Sequence, residues 1–179
     1  MSSYLIVVDM QKDFIDGALG TPEAVALVPR VIATIKSHLA LGEGPVLFTL
    51  DTHDSDYLES IEGRKLPVIH CVEGSEGWEL HPLIKLLAEE NRCRAFKKPT
   101  FGSADLVSYL VEVNEQDPIS SIELVGLCTD ICVISNALLI KASLPNVPIL
   151  VDSTCCAGVT QESHENALSA MQMCHIDII

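Results

Sequence analysis

Basic residues are scarce in this chain: 11 Lys and Arg stand against 25 Asp and Glu, a formal charge of −14. A field of that sign repels phosphate backbones, which excludes nucleic acid as a partner. No Lys/Arg run marks a polybasic membrane patch, and no apolar stretch is expected to reach the length that a bilayer requires. Aromatic residues make up only 4%, so the core must be built from Val, Ile, Leu and Ala. The opening Met1-Ser2-Ser3-Tyr4 and the short apolar run behind it lack the basic start and cleavage site of a signal peptide. No repeat, low-complexity tract or linker divides the sequence, so residues 1–179 are expected to form one domain. Seven cysteines, an odd number without secretory context, read as reduced thiols in a cytoplasmic protein.

What is present is alternation. The apolar, β-branched run Tyr4 to Val8 suits a strand buried on both faces. Helical spacing follows over 23–41 and stops at Gly42. Further strands are expected at 46–50, 93–96, 121–125, 147–151 and 176–179, with helices at 83–89, 103–113, 130–142 and 161–173. A long irregular segment fills 51–79. Strands alternating with helices imply an α/β fold, a three-layer α/β/α Rossmann-like domain around a mainly parallel six-stranded sheet. In such folds ligands gather outside the carboxyl ends of the strands.

Those ends carry Asp9, then Asp51 and His53, then Lys97 and Lys98, and finally Gly126-Leu127-Cys128-Thr129-Asp130-Ile131-Cys132. A thiol becomes a nucleophile once deprotonated, which a nearby ammonium and a helix N-terminus favour. A neighbouring carboxylate can carry the proton between nucleophile and leaving group. Taken singly, Asp9 reads as a turn residue, Lys98 as a solvated charge and Cys132 as packing. Their convergence on one rim points to an α/β enzyme, with thiol hydrolysis among its possible chemistries.

Ile6-Val7-Val8-Asp9-Met10-Gln11-Lys12-Asp13-Phe14, Lys98-Pro99-Thr100-Phe101-Gly102-Ser103 and Gly126-Leu127-Cys128-Thr129-Asp130-Ile131-Cys132-Val133 resemble, in order and separation, three motifs of the isochorismatase-like cysteine hydrolases. That superfamily contains the nicotinamidases. The resemblance implies a catalytic triad of Asp9, Lys98 and Cys132 acting on a small amide substrate, with no organic cofactor. It also implies a cis peptide between Leu127 and Cys128, and an oxyanion hole formed by the backbone N–H groups of Cys128 and Cys132. Isochorismatases that cleave a vinyl ether lack the cysteine, so Cys132 favours amide hydrolysis. Phe14 matches an aromatic that flanks the substrate ring in nicotinamidases, and Phe101 could assist it. Nicotinamidases commonly place further aromatics there, whereas Leu66-Pro67-Val68-Ile69 supplies none. Family members often self-associate, so a homo-oligomer is expected, with the apolar helix around 134–140 either in its interface or in the core.

The segment after the second strand holds Asp51, His53, Glu59, Glu62 and His70. Two imidazoles with carboxylates can hold a divalent metal, though acidic residues abound throughout this chain. The resemblance makes Asp51, His53 and His70 ligands for zinc, iron or manganese. Glu62 is the expected fourth ligand and Glu59 its reserve. In nicotinamidases such an ion binds the pyridine nitrogen of the substrate. Cys155-Cys156 reads as packing or pocket lining, and His164 as a partly buried helix residue. Hydrolysis of a carbamoyl or ureido compound, non-catalytic binding, and redox chemistry between Cys128 and Cys132 stay open as alternatives.

Overall fold

The computed structural model describes residues 2–179. Its elements in chain order are β1 (Ser3–Val8), α1 (Lys12–Ile15), α2 (Pro22–Leu41), β2 (Val46–Asp51), α3 (Ile61–Lys65), α4 (Pro82–Glu90) and β3 (Arg94–Lys98). There follow α5 (Ala104–Gln116), β4 (Ser121–Leu127), a π-helical turn (Thr129–Val133), α6 (Ile134–Ser143), β5 (Ile149–Ala157), α7 (Gln161–Met173) and β6 (Asp177–Ile178). The six strands form one sheet in the order β3-β2-β1-β4-β5-β6, and every pairing is parallel.

Strand β1 shows why the sequence makes three layers. Its side chains alternate across the sheet: Tyr4, Ile6 and Val8 pack with Leu106, Leu110, Ala137, Ile140 and Met171 of α5, α6 and α7. Leu5 and Val7 pack on the other face with Leu27, Val31, Ile35 and Ile84 of α2 and α4. Both faces are dry, hence the continuous apolar run. The helices begin where their caps dictate. The Thr21 side chain accepts from the Ala24 N–H and Pro22 starts α2, while Ser103 accepts from the Leu106 N–H of α5.

Three expectations need correction. Helix α2, 20 residues long with a mean hydropathy of 1.4 over an 18-residue stretch, is long and apolar enough to cross a membrane; here Ala24, Leu27, Val28, Val31 and Ile35 are buried against the sheet. Strand β5 runs to Ala157 rather than stopping near 151, because its register against β4 shifts between Leu124 and Gly126 and pairing resumes at Cys156. Cys155 and Cys156 are therefore strand residues. The helix after β4 opens as a π-helical turn, in which the Cys128 carbonyl accepts from the N–H of Val133 at 3.0 Å.

Strand order reverses between β1 and β4, and the ends of β1, β2, β3 and β4 share one rim beside that point. Gly126 lets β1 and β4 close there: its φ is +121°, and a Cβ would lie 2.1 Å from the Val8 carbonyl oxygen.

Candidate active site

Residue Asp9 follows β1 with a φ of 46°, and its carboxylate is fully buried. One oxygen, Oδ1, accepts from Thr49 Oγ1 at 2.7 Å; the other, Oδ2, lies 2.7 Å from Lys98 Nζ. The Lys98 ammonium also reaches Asp51 Oδ1 at 3.1 Å, the Thr100 carbonyl at 3.1 Å and Cys132 Sγ at 3.4 Å. Far from being solvated, Lys98 is 1% exposed. It ends a strand whose pairing extends through Lys98 to Asp51.

Burial is the first influence on each of these groups. It pushes the Asp9 carboxyl up, with Lys98 pulling down and Asp51 adding to the rise. It works to lower Lys98, but Asp9, Cys132 and Asp51 outweigh it and hold the ammonium above its ordinary value. It raises the Cys132 thiol well above the usual range, and the Asp9 carboxylate raises it further against Lys98. The sequence had suggested a thiolate stabilised by lysine. Burial, with two carboxylates facing that single cation, instead favours the protonated thiol, and Asp9 is a carboxylate acting on it.

Asp51 joins this group to a second cluster. Its Oδ2 lies 3.0 Å from His53 Nε2 and 3.5 Å from His70 Nε2. Ligand atoms of Asp51, His53 and His70 all fall within 4.8 Å of one another, and all three residues are buried. Burial would raise Asp51, but hydrogen bonds from both imidazoles hold its carboxyl well below the usual range. His70 Nδ1 is 2.8 Å from the Val68 carbonyl, a contact that leaves Nε2 as the ligating nitrogen. One carboxylate and two imidazoles fit zinc, iron or manganese. Glu62 Oε1 lies 3.7 Å from His53 Nε2, whereas Glu59 is exposed at the end of the 3₁₀ turn Tyr57–Glu59.

A cavity of about 200 Å³ opens on both clusters. It is lined by Cys128 and Cys132 on one side, Asp51, Glu62 and His70 on another, and apolar groups including Phe14, Leu66 and Phe101. Phe14 packs edge-on to His70, with ring centroids 5.5 Å apart; Phe101 is 43% exposed. The Leu127–Cys128 peptide is cis. Tyr57, without a role in the sequence, packs against both His53 and His70, and its hydroxyl donates to the Leu66 carbonyl at 3.0 Å.

Four further supports escaped the sequence. Thr49 holds Asp9, as described. Gln11 is fully buried and clasps the Asp51 backbone, accepting from its N–H at 2.7 Å and donating to its carbonyl at 2.9 Å. Its amide also donates to the Trp78 carbonyl at 2.8 Å. Asn136 donates to the Cys132 carbonyl at 2.8 Å and accepts from the Ser103 N–H at 3.0 Å. Asp13 accepts from the Cys71 N–H at 2.7 Å, next to His70. Only Gln11 and Asp13 carried a signal, lying within the opening motif.

Solved structures superpose on nearly the whole chain. The nicotinamidase PncA from Bacillus subtilis is 27% identical, with 99% of each chain covered and a TM-score of 0.83. An N-carbamoylsarcosine amidase from Thermoplasma acidophilum is 25% identical, covers 99% of this chain and 95% of its own, and has a TM-score of 0.78. A pyrazinamidase of Pyrococcus horikoshii in complex with zinc is 24% identical, covers 100% and 99%, and has a TM-score of 0.80. The model of the Isochorismatase domain matches residues 3–179. Sheet order, rim and motifs thus agree with a match along almost the full length, and the chain belongs to the isochorismatase family of hydrolases.

Proposed function

We propose that the chain hydrolyses a small uncharged carboxamide, nicotinamide foremost, to its acid and ammonia through a thioester on Cys132. Lys98 carries this reading, because its Nζ reaches both Asp9 and Cys132 at the wall of a cavity that also holds Asp51 and His70. Cys132 Sγ attacks the amide carbonyl carbon as Asp9 takes the thiol proton. Backbone N–H groups of Cys128 and Cys132 receive the developing oxyanion. Asp9 returns the proton to the departing ammonia, then takes one from the water that hydrolyses the thioester to acid and free thiol. Lys98 keeps Asp9 oriented and offsets the charge that arises on sulfur.

A divalent ion held by Asp51, His53 and His70, with Glu62 as fourth ligand, would supply a binding position for a pyridine nitrogen. The zinc bound by the Pyrococcus pyrazinamidase supports that metal here. The Thermoplasma amidase favours a second substrate class, N-carbamoyl amino acids, which bring a carboxylate. The cavity lining includes no Lys or Arg among the described residues and contains two acids, Asp51 and Glu62, which supports the uncharged ring instead. We place the activity in the cytoplasm, where the seven free thiols stay reduced.

The test is ammonia release from nicotinamide, pyrazinamide and an N-carbamoyl amino acid, with zinc or manganese supplied, by the parent and by Cys132→Ala. Release from nicotinamide that the substitution abolishes is the expected result. Release from the carbamoyl compound alone would overturn the substrate, and full activity in Cys132→Ala would overturn the nucleophile.

A further inference from the structure

The turn that carries Cys132 is tied to α7 by contacts that the proposed chemistry leaves without a role. Thr129 opens the turn and is fully buried, and its Oγ1 lies 2.8 Å from Nδ1 of His164. The next residue, Asp130, accepts from the Val159 N–H through both carboxylate oxygens, each at 3.2 Å. Gly158 sits directly against His164: a Cβ there would lie 3.0 Å from its backbone and Cβ. Gly158 and Val159 line the same cavity as Cys132. A capping box between Thr160 and Ser163 fixes the start of α7 in turn.

We propose that His164 is a positioning residue: through Thr129 it sets the direction of the Cys132 thiol, and it registers the Gly158–Val159 wall of the substrate cavity to that thiol. His164 holds the front of the turn through Thr129, and Asp130 ties it to Val159. Ser135 donates to the Ile131 carbonyl at 2.6 Å, and Asn136 holds the Cys132 carbonyl behind it. Between the first and the last of these the chain is π-helical, and the front anchor is the one that comes from α7, so it sets where Sγ points. Release of that anchor leaves a buried hydroxyl without its partner and lets the turn settle elsewhere. Sγ then leaves the position where Asp9 and Lys98 both reach it. Asp130 serves the same junction from the other side, since its carboxylate stops the wall from moving independently of the turn.

The inference rests on the amide-hydrolase reading, so its test includes a measurement that needs no amide turnover. His164→Leu and Thr129→Val break the contact; His164→Asn and Thr129→Ser keep a hydrogen-bonding atom near the same place. Three quantities are read for each variant: kcat and KM on the amide that the parent hydrolyses, the rate of Cys132 alkylation by iodoacetamide located by peptide mass, and the thermal midpoint. A misplacement of about 1 Å costs on the order of 100-fold, so both breaking variants should lose about 10- to 100-fold in kcat, with KM changed less than about threefold. Alkylation of Cys132 should slow in parallel, and the Asn and Ser variants should recover most of both rates. The double variant should be no worse than either single, because the two act through one contact. Losses that only track the fraction of folded protein would overturn the proposal, as would a change in KM alone or an unaltered alkylation rate. If the parent released ammonia from no amide, the function would fall, and alkylation would still decide the role of His164.

Discussion

The hydroxyl of Thr49 donates to Asp9 Oδ1 at 2.7 Å inside a fully buried site, and Thr49→Val removes that donor while keeping the shape of the side chain. A hydrogen bond to a charged group contributes about 1.5–3 kcal/mol, and one pKa unit corresponds to roughly 1.4 kcal/mol. The carboxyl of Asp9, already raised by burial against the pull of Lys98, should therefore rise by about one to two further units. A base works only in its charged form, so activity is lost as pH falls through this value. The acid limb of kcat/KM for amide hydrolysis, measured with metal supplied, should move upward by about one to two pH units. The alkaline limb should stay where it is. Stability follows the same sign: a carboxyl raised above its unfolded value favours folding while protonated. The variant should therefore lose stability as pH rises from the ordinary carboxylate value through the folded one. An unmoved acid limb, or a uniform loss of activity at every pH, would refute the assignment of Asp9 as the base.

Glu62→Gln should weaken zinc binding by about 10- to 100-fold, the range for a group that supports or completes a metal site. Glu59→Gln should leave it unchanged, as calorimetric titration would show; the reverse result would make Glu59 the ligand. Gln11→Leu strips two hydrogen bonds from buried backbone groups of Asp51 and a third from the part-buried Trp78 carbonyl. With each buried unsatisfied group costing about 1–3 kcal/mol, urea unfolding should show a loss of at least about 2 kcal/mol. A loss below about 1 kcal/mol would mean that the clasp does not hold this backbone in place.

Much of this was legible along the chain. Tyr4–Val8 and Val46–Leu50 announce themselves because a strand covered on both faces has no polar side to show. Asp9, Asp51, Lys98 and Cys132 stand at strand ends, where a doubly wound sheet leaves its rim, and the three motifs contain all of them but Asp51. Candidate metal ligands were visible as residue types, and the structure gathers Asp51, His53 and His70.

Sequence by itself thus determined the class of fold and the rim, because these depend on apolar periodicity and on positions next to strand ends, while the family resemblance named Asp9, Lys98 and Cys132 as the candidate reacting groups. Tertiary structure alone decided the partners. Thr49 meets Asp9 across 40 residues and Asn136 meets Ser103 across 33, contacts that exist only once the fold brings separate elements together. The sequence already preferred Glu62 to Glu59, and the tertiary structure adds that Glu62 Oε1 lies 3.7 Å from His53 Nε2. The upward push on the Cys132 thiol comes first from burial and then from the Asp9 carboxylate, neither of which a motif contains as geometry. Asp51 faces Lys98 with one oxygen and the histidines with the other, and it therefore joins the two clusters.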